Sequence, residues 1–232
     1  MMNDKKIKEL QEKLGYTFKS EKLLIHALTH TSYANEKGLG HIGSNERLEF
    51  LGDAVLELVS SEFFYEKYPD IPEGQLTKMR AGHVCEAALH YCAQRIPLSE
   101  YILLGKGEDA TGGRQRPSII SDALESVIGA VYLDGGFASA KELVLRFVLN
   151  DIEHTRLFHD SKSMLQEEVQ KNGNGGPVYE QISEDGPDHN KSFTVRVLMD
   201  GEEIGRGTAS SKKHAEQQAA MQALVKLEKL QV

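Results

Sequence analysis

The hydrophobic period of this chain changes once, and that change limits the folds open to it. From the start to about residue 153, apolar residues recur at three-and-four spacing in 22–30, 46–64, 76–94, 119–133 and 137–152. This is the pattern of helices that each bury one face. Around 154–162, HTRLFHDSK, the apolar period lapses. Beyond it come a short helical stretch over 162–172, the turn-forming NGNGGP, and then alternation at period two. In SFTVRVLM, Phe193, Val195, Val197 and Met199 share one face, and Ser192, Thr194 and Arg196 the other, as in a half-buried strand. VYEQIS before it and IGRGTAS after the turn DGEE complete three antiparallel strands, and a last helix over 211–230 sets Ala215, Ala219, Leu224 and Leu227 inward. The expected fold is multidomain: an all-α domain over 1–153, a flexible linker over 154–161, and a small α+β domain (α-β-β-β-α) over 162–232.

With 232 residues, 40% of them hydrophobic, the chain can fill the cores of one or two domains. No apolar run approaches the roughly 18 residues of a membrane span, and the charged, helical start MMNDKKIKELQEKLGYTF does not resemble a signal peptide. A cytoplasmic protein without a membrane partner is expected. Cys85 and Cys92 lie seven apart in a helical stretch, too far along the axis to bridge each other. They read as packing residues of a reduced protein. The formal charge of −8 opposes a broad nucleic-acid footprint, so any such binding has to be local.

One stretch, NERLEFLGDAVLEL over 45–58, gathers like charges. At 100° per residue, Glu46, Glu49, Asp53 and Glu57 fall within roughly 80° of one another. Leu48, Leu51, Val55, Leu58 and Val59 take the opposite side. Carboxylates at this spacing destabilise a helix by about 0.2–0.5 kcal/mol per pair, so the stripe is either a solvated face or a place where a cation relieves the repulsion. A second helix, SIISDALESVIGAVYLDGG, sets Asp122 and Glu125 three apart with Gly129 in line. Two helices each offering a carboxylate pair can supply the oxygen ligands that Mg²⁺ prefers. Phe50 lies beside the acidic stripe, far from the apolar face, where an aromatic side chain suits a partner surface.

Three basic or imidazole signals remain. ASSKKHAEQQAA opens the last helix with Ser211 as N-cap, followed by Lys212, Lys213 and His214. Cations there oppose the helix dipole, which an external anion would offset. ATGGRQRPS places Arg114 and Arg116 in a glycine loop just before the second acidic helix, where guanidinium groups suit a phosphate. His26 and His30 are four apart, a zinc-compatible spacing without an evident third ligand, so structural roles are expected.

NERLEFLGDAVL and GGRQRPSIISDALESVIGAVYLDGG together resemble the signature blocks of the bacterial ribonuclease III family, and residues 162–230 resemble the double-stranded-RNA-binding domain that follows in that family. The resemblance implies metal-binding catalytic carboxylates at Glu49, Asp53, Asp122 and Glu125, the last most directly tied to the chemistry. It implies acidic neighbours at Glu46 and Glu73 and leaves Glu57 as a surface charge. Phe50 matches a residue that inserts into the partner subunit of a homodimer. Lys212 and Lys213 match lysines that hold phosphates across the major groove, Gln166 and His189 match minor-groove contacts, and Ser163 a hydroxyl contact. The implied activity is Mg²⁺-dependent hydrolysis of duplex RNA, with Mn²⁺ a possible substitute and no organic cofactor. Its products carry 5′-phosphate and 3′-hydroxyl ends with short 3′ overhangs, and its substrates are ribosomal RNA precursors and structured messenger RNAs. A duplex-binding protein that does not cut is the rival reading. A redox di-metal bundle is disfavoured, since no Glu-x-x-His pair is available.

Overall fold

A computed structural model describes residues 4–40, 42–150, 152–171, 175–186, 191–209 and 211–229, with side chains described outside 152–160, 214, 225, 228 and 229. The chain divides into two compact units, residues 1–152 and 153–232.

The first unit is helical: α1 (Asp4–Leu14), α2 (Glu21–Ala27), α3 (Thr31–Glu36), α4 (Glu46–Lys67), α5 (Glu73–Val84), α6 (Glu86–Ala93), α7 (Lys106–Ala110), α8 (Pro117–Gly135) and α9 (Phe137–Phe147). α8 is the apolar axis. Pro117 starts it at a position that needs no N–H, and Gly136, at φ 81°, ends it in a conformation that disfavours other residues. Its buried face, from Ile119 and Ile120 to Ala130 and Val131, meets Leu48, Val55, Leu56 and Val59 of α4 in one continuous core. The helix expected over 76–94 is two helices, because Cys85 leaves the helical region at φ −72°, ψ 158°. Of the twelve residues of α5, only His83 is buried. Cys92 is buried and Cys85 half-buried, and neither is in a disulfide.

The second unit contains α10 (Ile152–Lys171), β1 (Val178–Asp185), β2 (Ser192–Met199), β3 (Glu202–Ala209) and α11 (Lys212–Lys229). α10 runs unbroken through the stretch expected to be a linker, so its apolar period lapses without a break in the helix. HTRLFHDSK holds no glycine or proline that would interrupt it. The sheet is antiparallel in the order β1-β2-β3. Its β2–β3 turn places Asp200 at φ 51° and Gly201 at φ 87°, the backbone that an Asp-Gly hairpin favours. Val195 and Val197 face inward as the alternation predicts. Val197 and Ile204 pack against Leu165 and Val169 of α10 and against Ala219, Ala220, Ala223 and Leu224 of α11. Among the described residues no helix is long and apolar enough to cross a membrane.

Candidate active site

The site forms where α4 crosses α8, and the crossing is tight because both helices present glycine. A Cβ on Gly52 would lie 1.8 Å from the Glu125 carbonyl oxygen, and one on Gly129 would lie 2.3 Å from that of Leu48. Backbone packed at this range brings one carboxylate of α4 against two of α8. Oxygens of Glu49, Asp122 and Glu125 all lie within 4.8 Å of one another. No lysine or arginine pairs with any of the three among the described residues.

Their protonation reflects that crowding. Burial, followed by the charges of Asp53, Asp122 and Glu49, pushes the Glu125 carboxyl up to about 8. Burial also raises Glu49, with Asp122, Glu46 and Asp53 adding to the effect. Asp122 is raised by burial and by Glu86, against a hydrogen bond from Ser121. Three desolvated carboxylates facing one another resist ionisation, and a hard divalent cation with oxygen ligands suits such a donor set. Asp53 stands outside the triad and is exposed, yet close enough to raise two of its members. Glu46 accepts from the Ser44 hydroxyl at 2.7 Å and adds its charge to the group.

Glu73 lies elsewhere. It begins α5, accepts from the Thr77 hydroxyl at 2.9 Å, and lines a cavity of about 410 Å³ with Leu58, Tyr65 and Leu76. Outside the triad, the charges that raise its members are those of Asp53, Glu46 and Glu86. Phe50 is 79% exposed, and Leu58 (57%) and Tyr65 (74%) follow it along the same helix. Leu58 therefore differs from its expected inward placement, since it sits at the edge of the apolar arc and opens onto the cavity beside α5. Glu57 is an ion-pair partner of Arg80 at 2.6 Å rather than a purely solvated charge.

The loop arginines are also engaged. Arg114 donates to both Asp109 oxygens and to the carbonyls of Ser99 and Ile102, so its guanidinium is held in place within the loop. Arg116 pairs with Glu108 but keeps a half-exposed side chain. His26 bonds the Ser44 carbonyl oxygen at 2.8 Å, and His30 caps α3 by accepting from the Ser32 N–H, so each histidine is satisfied within the fold. In the second unit, Lys212 and Lys213 are exposed at the start of α11, with no ion-pair partner among the described residues. Ser163 is exposed and Gln166 half-buried on α10. His189 falls outside the described residues.

Residues 20–152 match the family model for ribonuclease-III-like domains, and residues 161–227 match the double-stranded RNA binding motif. Ribonuclease 3 of Anoxybacillus flavithermus is 49% identical over 228 residues, covering 97% of this chain and 96% of that protein. This chain belongs to the ribonuclease III family. Ribonuclease 3 of Geobacillus thermodenitrificans is 50% identical over 225 residues, 94% of this chain and 90% of its own. The nuclease domain of ribonuclease III from Campylobacter jejuni superposes with a TM-score of 0.58 at 44% identity, covering 62% of this chain and 97% of that one. That structure concerns flexibility in a region involved in the Campylobacter domain's dimer formation.

Membership makes the chain an endoribonuclease of a metal-dependent family that acts on double-stranded RNA, and the acidic triad is a place where a metal can sit. Two residues that shape this site are not legible as such in the sequence. Gly52 carries a signal, since glycine inside a helix costs about 1 kcal/mol relative to alanine and implies a packing reason. Glu86 carries none, because it reaches Asp122 only through the packing of α6 beside α8.

Proposed function

We propose that this chain cuts duplex RNA by Mg²⁺-dependent phosphodiester hydrolysis, leaving 5′-phosphate and 3′-hydroxyl ends with short 3′ overhangs. The observation that carries the proposal is the desolvated cluster of Glu49, Asp122 and Glu125. These three hold the ion, with Asp53 added from one turn along α4 and Glu46 as an acidic neighbour. A divalent ion bound there supplies an activated water and stabilises charge at phosphorus. Mn²⁺ meets the same donor requirements.

The chain's other residues place the duplex. Lys212 and Lys213 take phosphates across the major groove, while Ser163, Gln166 and His189 take the flanking minor grooves, where 2′-hydroxyls and shape are read. Arg116, half-exposed before α8, adds a phosphate contact near the carboxylates. Phe50 docks into a second copy. Two copies related by a twofold then cut one strand each, which produces the staggered ends. Residues 154–161 join the nuclease domain, 1–153, to the RNA-binding domain, 162–232. Ribosomal RNA precursors and structured messenger RNAs in the cytoplasm are the proposed substrates.

A labelled RNA duplex incubated with the full chain in Mg²⁺, and in parallel with chelator, tests this reading. Cleavage in Mg²⁺ alone is expected, and a duplex that is bound but left whole in Mg²⁺ would overturn the reading in favour of a binding protein.

A further inference from the structure

Arg47 is the one arginine among the described side chains with no hydrogen-bond or ion-pair partner. Arg80, Arg95, Arg114, Arg116, Arg146, Arg196 and Arg206 each donate to a side chain or a carbonyl. Arg47 also sits in the first turn of α4, where a cation opposes the helix dipole. Its place on the helix is informative. Residues 47, 50, 54, 58, 61 and 65 follow one another at spacings of three and four, so Arg47 is the N-terminal end of the outward stripe that carries Phe50, Leu58 and Tyr65.

The far end of that stripe is the cavity beside α5, and its two carboxylates differ. Glu62 is paired with Lys141 at 2.6 Å, while Glu73 accepts only from Thr77 within its own helix and has no cation partner among the described residues. The lone cation and the lone carboxylate therefore cap opposite ends of one apolar stripe. A twofold axis makes an interface self-complementary, so residue i of one copy meets j of the other and j meets i. For Phe50 to enter a cavity walled by Leu58 and Tyr65, the two copies of α4 must run antiparallel, because a parallel pairing would set residue 50 against residue 50. Antiparallel stripes carry Arg47, one turn before Phe50, to the rim where α5 begins.

We propose that Arg47 of each copy pairs with Glu73 of the other, so that two symmetric ion pairs flank the docked phenylalanines and fix the register of the dimer. This rests on the dimer reading above. The apolar contacts supply area without fixing position along the stripe, whereas charges placed at its two ends penalise a slipped pairing.

A charge exchange tests the pair. Arg47→Glu and Glu73→Arg are made singly and together in the full chain, and the dimer dissociation constant is measured by sedimentation equilibrium. Each single reversal is expected to weaken the dimer by about tenfold or more, and the double reversal to recover most of that loss. Arg47→Ala and Glu73→Gln, which introduce no new charge, should show the same non-additivity at smaller size. Losses that simply add in the double variant would overturn the pair while leaving the dimer intact. A monomeric wild type would instead overturn the dimer reading beneath it. An Arg47→Glu variant that dimerises normally but binds duplex RNA more weakly would assign the arginine to phosphate and sink the proposal.

Discussion

The two units hold their charges in opposite ways. In the first, like charges are pressed together where Gly52 and Gly129 let α4 and α8 touch, and burial raises their carboxyls, Glu125 to about 8. In the second, Lys212 and Lys213 extend from the start of α11 into solvent, with no ion-pair partner among the described residues. The first arrangement stores unfavourable electrostatics inside a rigid frame, and the second leaves cations free to meet a polyanion at little cost to the fold. One binding partner is thus tied to the stability of its unit, and the other is nearly independent of it.

The largest effect that would break this contrast comes from the buried side. Glu125→Gln should lower cleavage at least about a hundredfold, since even outer partners of metal ligands cost 10–100-fold when lost, while duplex binding in a gel-shift assay stays near wild type. Unimpaired cleavage would remove Glu125 from the site. Gly52→Ala comes next, because its methyl would fall on backbone rather than on a movable side chain. Overpacking of this kind costs about 1–3 kcal/mol, which calorimetry should register as a lowered Tm, at about 2–4 °C per kcal/mol. Cleavage should fall with it.

On the exposed side, replacing Lys212 and Lys213 by Ala should leave Tm unchanged and weaken duplex binding. The slope of log affinity against log salt should fall by about one per lysine, and an unchanged slope would detach these lysines from phosphate. The last expected effect is electrostatic and confined to the metal-free protein. The folded Glu125 carboxyl titrates at about 8, above its usual 4.5, so the unfolded chain releases that proton first. Metal-free stability should therefore decline as pH rises from about 4.5 to about 8. Tm measured in chelator at pH 5 and pH 8 checks this. Glu125→Gln should flatten the decline, and added Mg²⁺ should oppose it.

Residues that act through their own helix were legible in the sequence. Glu49 and Asp53 declare themselves by spacing, as do Asp122 and Glu125, and the inward set of α11 follows from its period. Features set by contact between elements were not. Nothing local to Glu57 announces Arg80, nor does the loop sequence show that Arg114 is held by Asp109 and two carbonyls. The break at Cys85 hides in an apolar period that continues across it, and the continuity of α10 through 154–161 shows that lost amphipathicity does not end a helix. Glu73 is the sharpest case, since nothing in PEGQLTKMR announces that it lies beside the exposed stripe of α4, where the packing of α5 sets it.

The shallow seating of α5 bears on that last point. A helix that buries one residue of twelve and breaks from α6 at Cys85 is held to the core chiefly by the half-buried Leu76, Met79 and Val84 and by the bonds of Arg80 to Glu57 and Ser61. Its amides should exchange with solvent well before those of α4 and α8, as a separate low-energy opening unit. Covering its outer wall with a second chain would close that opening. Hydrogen-exchange protection of α5 would then report association, and a helix barely anchored in one copy would become part of the folded core of two.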